Sequence, residues 1–383
     1  MEIYLDNCST TKPRKEVIDE MMDAFNNIYG NPSSLHRLGL KAEKRVEDSR
    51  QIIADALKVK PDEIYFTSGA TESNNLAINS IINKQSRFGK HIITTSIEHP
   101  SVLNVIRKLE DKGYDVTYLK VDRNGIISLE ELANSIRGDT ILVSIMQVNN
   151  EVGSIQPTWK VKKIIKDKNS KALFHVDGVQ AFGKIKIQLK NWGIDAFSIS
   201  GHKLHGPKGI GALYIDNKLK LEPVIYGGEQ ERGFRSGTEN VPGIIGLGKA
   251  VELMDKNFEK EQNYVRDLKL YFIERLKEID RIRINSPAEH TSPYILNVSF
   301  EYVRGEVLLH YLENKGIYVS TTSACSSRGV KKSRVLKELG LTDIQIEGAI
   351  RFCLSYEITK EDIDYTIDVL KASVEEIRQV TMR

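Results

Sequence analysis

A lysine just past a strand end, walled in by small and rigid residues, is the first candidate for chemistry in this chain. It is Lys203, in the run SISGHKLHGPKGIGALYI. Ala196–Ser200 reads as a strand and Gly201-His202-Lys203 as a small-residue corner. Gly206-Pro207-Lys208-Gly209 is a turn into a second apolar strand over residues 210–215. A solvated ammonium is no nucleophile, so an amine that condenses with a carbonyl must be desolvated and fixed; this setting suits both needs. Taken alone, the run is equally compatible with a β-hairpin that displays a lysine.

Other polar groups fall at strand ends. Asp177 closes the stretch LFHVD, with Gln180 one turn further on. Open α/β sheets bind ligands beyond the carboxyl ends of their strands, so a carboxylate there is placed to meet one, and it could keep a pyridine nitrogen protonated. An N-cap after the strand would use the same residue. The loop Thr67-Ser68-Gly69-Ala70-Thr71 joins a strand to a helix. Small residues and a helix N-terminus suit a phosphate, although this is neither a Walker loop nor GxGxxG, and an ordinary connecting loop reads the same way. His99 follows HIITTSIE, where a flat imidazole could stack on an aromatic cofactor and pass protons, or serve only as a hydrogen-bonded loop residue. Asn149-Asn150-Glu151 closes ILVSIMQV in the same fashion. Polar groups at the ends of successive strands reinforce one another.

Cys325 lies in STTSACSSR, without apolar neighbours and with Lys331 and Lys332 close behind. Buried structural thiols keep apolar company, whereas nearby cations favour a thiolate, so Cys325 is read as reactive. Cys353, in IRFCL, reads as strand core; Cys8 yields no clear reading. Arg351 could clamp a carboxylate with its fork of donors. Arg232, Arg235, Ser236, Gly237 and Thr238 form a basic, glycine-interrupted loop that suits an anion or a subunit contact.

The elements that position these groups alternate. Strands at 63–67, 91–95, 115–121, 140–147 and 172–176 are separated by helical patterns, which implies a mostly parallel sheet with helices on both faces. Ser128-Leu129-Glu130-Glu131 is a capping box. Over residues 244–279, Leu247, Val251, Met254, Val265, Leu268, Phe272 and Leu276 recur at helical spacing, long enough to leave one domain and enter another. An α+β segment follows: a strand at 294–300, a helix at 306–314, a strand at 349–354, and a last helix capped by Thr359 and Asp362. The expected division is a large domain over 16–250 and a small one from 1–15 and 251–383, although the first fifteen residues could pack with either half.

Composition excludes some classes. With 55 basic against 52 acidic residues, the net charge of +3 announces neither a nucleic-acid nor a membrane surface. No apolar run is long enough for a transmembrane helix, and MEIYLDNCSTTK lacks the layout of a signal peptide. Three cysteines in 383 residues make no disulfide framework, and a cytoplasmic location with reduced thiols is expected.

The ordered blocks DNCSTT, GNPSSLH, GATESNN, EHPSV, VNNEVG, HVDGVQ, SGHKLHGPKG, ERGFRSGTEN, TSACSS and AIRF span nearly the whole chain. Together they resemble the cysteine desulfurases of the class V aminotransferase family, pyridoxal-phosphate enzymes of fold type I with a seven-stranded, mostly parallel sheet. The resemblance implies pyridoxal 5'-phosphate held by Lys203 as a Schiff base. Asp177 would pair with its ring nitrogen, Gln180 with its phenolic oxygen, and His99 would stack on the ring. Ala70, Thr71, Ser200 and His202 would hold the phosphate, with Thr238 reaching over from the second subunit of a homodimer. Asn149 would contact cofactor or substrate, and Arg351 the carboxylate of L-cysteine. Cys325 would accept the sulfur as a persulfide and pass it to an iron–sulfur scaffold or a tRNA-thiolation enzyme. No metal is intrinsic, though Cys325 could act as a transient iron–sulfur ligand with the scaffold. The chain departs from the family's usual Gly at Thr322, Ala at Cys8 and Gly at Ser355. Thr322 would stiffen the cysteine loop, since it lacks glycine's freedom. A selenocysteine lyase, a plain aminotransferase and a non-catalytic adaptor of the same fold are the competing expectations.

Overall fold

Seven strands carry the larger half of the molecule. The computed structural model describes residues 2–168, 170–321 and 332–381. After a short strand β1 (Ile3–Tyr4), the chain forms β2 (Ile64–Thr67), β3 (His91–Thr95), β4 (Asp115–Leu119), β5 (Thr140–Ser144), β6 (Leu173–Asp177), β7 (Ala196–Ser200) and β8 (Gly211–Ile215). They assemble in the order β2-β8-β7-β6-β5-β3-β4. From β7 to β4 every pairing is parallel, while β8 runs antiparallel to both neighbours. All residues of β3, β5, β6 and β7 are buried, as a sheet covered on both faces requires. The expected mostly parallel, seven-stranded α/β sheet is what the chain forms.

The second half has its own sheet, in the order β12-β13-β10-β9 and antiparallel throughout. Its strands are β9 (Ile282–Ile284), β10 (Ile295–Phe300), β12 (Ser320–Thr321) and β13 (Ala349–Cys353), with β11 (Ile317–Tyr318) outside it. The helix Val241–Leu276 joins the halves. Its first turns bury Val241, Ile244, Leu247 and Val251 in the large core, and its last turns bury Val265, Leu268, Phe272 and Leu276 in the second. The stripe read from the sequence is thus one continuous helix serving two cores. The final helix, Lys360–Thr381, has the expected cap: Thr359 N donates to Asp362 Oδ2, and Asp362 N donates to Thr359 Oγ1.

The structure differs from the sequence-based expectations in two places. Helices Lys15–Asn27 and Arg37–Leu57 were not anticipated, because the first buries only Val17 and Ala24 and much of the second's buried face is small or polar. The Ser128 box is only half made: Ser128 Oγ accepts from Glu131 N, but the Glu131 carboxylate accepts from Lys120 N instead of returning to the cap. The N-terminal segment touches both halves. β1 pairs with β11, while Thr11 N donates to His202 O and Arg14 N to His205 O.

Candidate active site

The carboxyl ends of the parallel strands open into a cavity of about 600 Å³ between the halves. Asp177 ends β6 and Ser200 ends β7, so the sheet itself delivers both to the rim. The corner Gly201–Lys203 then turns the lysine inward. Lys203 Nζ donates to the carbonyl of Ser9 (2.7 Å) and to that of Cys8. Burial, and then the charge of Lys184, push the amine down to about 8, which makes the neutral form accessible near physiological pH.

Asp177 is fixed by donors on both oxygens. Val179 N donates to Oδ1 (3.0 Å), and Asn74 Nδ2 donates to Oδ2 (2.8 Å). The same Asn74 amide reaches Ser101 Oγ (2.9 Å), which lies 2.8 Å from His99 Nδ1. Ser101 N also donates to His99 Nδ1, so this nitrogen is an acceptor and the proton of the neutral ring belongs on Nε2. The imidazole is held below its usual range, by burial first and also by Lys203, with Asp177 opposing. Asn74 and Ser101 were not singled out in the sequence. GATESNN and EHPSV contain them, but their connection exists only once helix Ala70–Gln85 packs beside the loop after β3. Glu98 ties that loop to the one after β5, its Oε1 accepting from Thr95 Oγ1 and Met146 N.

Ala70, Thr71, Ser200 and His202 line one end of the cavity. The helix beginning at Ala70 leaves its first N–H groups without partners inside the helix, as any helix start does. Gly211 permits the tight packing there: a Cβ on it would sit 2.7 Å from Gly69 Cα. Lys208 lines the cavity as well, and Glu72 beside it is paired with Arg235. His202 is pushed down to about 4 by burial and then by Lys203, Lys208 and Lys184.

Arg351 lies in the middle of β13, not at its start, and reaches the opposite wall. Its guanidinium donates to Asp6 Oδ1 (2.9 Å), Ser9 Oγ (2.7 Å) and Asn150 O (2.9 Å), and its buried Nε has no partner among the described residues. Gln180 lines the cavity, donates to Cys8 O (3.0 Å) and accepts from Lys184 Nζ (2.6 Å). Cys8, without a reading in the sequence, thus supplies the carbonyl on which Lys203 and Gln180 converge. Cys353 is buried, as expected of strand core.

One expected residue stands elsewhere, and another was expected to act only from a second copy. Asn149 does not face the cavity: its Oδ1 accepts from Glu151 N and Val152 N, its Nδ2 donates to Ile97 O, and Asn150 lines the cavity instead. The two asparagines cannot be told apart by strand-end position; the loop's own hydrogen bonds decide. Thr238 is exposed and is not among the residues lining this chain's cavity. Cys325 and Thr322 lie outside the described residues. The described residues stop at Thr321 of β12, where Ser320 pairs with Arg351, and resume at Lys332; Ser333 Oγ donates to Glu151 Oε2 (2.5 Å).

The donor set suits a phosphorylated pyridine. Helix N–H groups at Ala70 and Thr71 would suit a phosphate, the rigid Asp177 carboxylate would suit a ring nitrogen, and a desolvated amine lines the same cavity. Sheet order and cavity together define an α/β protein of fold type I, with its site at the carboxyl ends of the parallel strands.

Comparison with known proteins narrows the class. The aminotransferase class-V model matches residues 3–366, and the chain belongs to that family. It is 45% identical to the cysteine desulfurase IscS of Dictyoglomus turgidum over 381 residues, covering 99% of this chain and 96% of that protein. To the IscS of Buchnera aphidicola it is 46% identical, covering 99% and 94%. Among solved structures, a NifS-like protein superposes with a TM-score of 0.91 at 39% identity, covering 99% of both chains. The structure described as SspA in complex with cysteine gives 0.82 at 35% identity, covering 93% of this chain and 99% of that one.

Proposed function

We propose that this protein is a pyridoxal-phosphate-dependent cysteine desulfurase, converting L-cysteine to L-alanine and carrying the sulfur as a persulfide on Cys325. The observation that carries the reading is the meeting of Lys203 and Asp177 in one cavity that Ala70, Thr71, Ser200 and His202 also line. Full-length relatives named cysteine desulfurase support the substrate. When bound, pyridoxal phosphate supplies an electron sink that weakens bonds around the α-carbon of an amino acid.

The protein's own groups divide the remaining work. Helix N–H groups at Ala70 and Thr71, with Ser200 and His202, would hold the phosphate, and Thr238 of a second copy would complete that end in a homodimer. Asp177 would hold a proton on the ring nitrogen, and its two donors leave it no freedom to turn away. Lys203 Nζ, poised near neutrality, would attach the cofactor and exchange protons at the substrate carbon. His99 Nε2 would be the second proton site, with Nδ1 anchored by Ser101. Asn150, which lines the cavity, would contact cofactor or substrate in place of Asn149. Arg351, whose Nε lacks a partner, would take the substrate carboxylate. The Cys325 thiolate would then bond to the substrate sulfur as the Cβ–S bond breaks, so that cysteine and one enzyme thiol become alanine and one persulfide. The persulfide would be handed to an acceptor protein of iron–sulfur assembly or tRNA thiolation. We also propose the division at residues 16–250 against 1–15 and 251–383, with the helix Val241–Leu276 spanning it. Among the described residues no helix is long and apolar enough to cross a membrane.

The test is direct. The purified protein should be yellow, release alanine from L-cysteine and, after borohydride reduction and digestion, carry a pyridoxyl group on Lys203. A colourless protein that added cofactor does not restore, or a pyridoxyl group on another residue, would end the reading. Cys325→Ala should keep the colour and form no persulfide.

A further inference from the structure

A second cavity lies away from the site just described. It measures about 750 Å³, within the usual range for small-molecule sites, and contains none of the groups assigned above. It is bounded by the second half of the helix Val241–Leu276, by β9 and the 285–293 loop, and by Ile155 and Ile185 from the larger half. We propose that this cavity binds a small amphipathic anion, an apolar body carrying one carboxylate or phosphate group.

Charge is the first argument. Arg123, Arg266, Lys269 and Arg283 line the cavity, and no carboxylate does. Lys269 is the unusual member. Only 4% of it is exposed, and Nζ donates to Thr291 Oγ1 (2.9 Å) and Ser292 O (2.8 Å), both neutral acceptors. Withdrawing an ammonium from water is costly, and burial pushes this one down to about 7, with the charge of Cys8 opposing. Among the described residues no carboxylate pairs with Lys269, and Arg266 pairs with Asp267 at 3.4 Å.

Surface is the second. Ile155, Ile185, Ile273 and Ile284 pack on the second core yet remain only partly buried, and Leu270 is 59% exposed at the same place. A large apolar side chain left in water beside four half-covered isoleucines is an incomplete hydrophobic surface. One molecule resolves both: its apolar body covers the isoleucines, and its anion supplies the charge that Lys269 lacks. A cation, or a polar anion without an apolar part, satisfies only one side or neither.

The test uses the full-length, cofactor-loaded protein and the amphipathic anion anilinonaphthalenesulfonate as fluorescent probe. Binding should saturate at one site per chain. Lys269→Met should weaken it at least tenfold, and Arg266→Glu, on an exposed residue that does not threaten folding, several-fold. Decanoate or decyl phosphate should displace the probe, their relative strength telling which head group is preferred. Decanol and inorganic phosphate should not. Probe binding equal in wild type and both variants, or displacement by decanol as readily as by decanoate, would overturn the proposal.

Discussion

Lys203 and Lys269 have both been withdrawn from water, and both have lost basicity, to about 8 and about 7. Their surroundings are otherwise opposite. Lys203 shares its cavity with Asp177, with His99 on a hydrogen-bonded chain, and with the start of the helix at Ala70. Lys269 looks onto isoleucines and three arginines. A depressed lysine therefore does not by itself mark catalysis; the groups across the cavity do. The smaller cavity carries chemistry because a carboxylate, an imidazole and an amine converge there, whereas the larger one offers only complementarity of charge and surface.

The largest test of this contrast sets the two lysines against each other. Lys203→Ala should cost at least ~10³-fold in alanine release, within the range for losing a nucleophile and proton carrier together. The turnover of Lys269→Met should exceed that of Lys203→Ala by a similar factor. Comparable losses in both variants would erase the distinction.

Asp177→Asn comes next. Loss of an opposite charge moves a partner's pKa by about 1–3 units, so a roughly 10²-fold fall in turnover is expected. The cofactor spectrum should change as well, since the ring nitrogen would lose its proton. An unchanged spectrum would mean that Asp177 serves only to cap the chain after β6.

Ser101→Ala probes the chain behind His99. A single hydrogen bond is worth about 0.5–1.5 kcal/mol, so a loss of roughly 2- to 13-fold is expected. The informative readout is the pH profile. Ser101 stabilises the neutral imidazole by donating to Nδ1, so its removal should raise the pKa of His99 and move the acid limb to higher pH. Ser101→Thr should restore the profile. A fall in rate with the acid limb unmoved would reduce Ser101 to a packing role.

Much of this arrangement was legible in the sequence, for a physical reason. Strand ends are marked by the change from apolar runs to small and polar residues, so Asp177, Ser200, His99 and Lys203 could be assigned to one rim without coordinates. The long helix announced itself through its stripe. Legibility stopped where a decision depended on packing. Asn149 and Asn150 differ only in which one the loop's backbone captures. Asn74 and Ser101 matter because two distant segments meet, and no local pattern encodes that meeting. Helix Arg37–Leu57 escaped because much of its buried face is small, as at Ala42, Ser49 and Ala54. The cavity around Lys269 is assembled from five stretches of chain, none of which carries a signature.

Cys8 offers the finest test of the electrostatics around Lys203. Burial alone would raise its thiol, but a hydrogen bond from Cys353 and the charges of Lys184, Arg351 and Lys203 bring it down to about 6. The resulting thiolate favours the charged form of Lys203 and so holds the amine higher than burial and Lys184 would leave it. The sign follows. Cys8→Ala removes a negative charge, lets the Lys203 amine lose its proton at lower pH, and leaves the backbone carbonyl of residue 8 in place. In wild-type apoprotein the rate of pyridoxal phosphate uptake should rise about tenfold per pH unit below pH 8 and level off above it, because only the neutral amine reacts. In Cys8→Ala the levelling point should fall by a few tenths of a unit, a roughly twofold faster uptake near pH 7. A levelling point that stays fixed would show Cys8 to be neutral in the native protein, and one that moves upward would contradict the assigned sign.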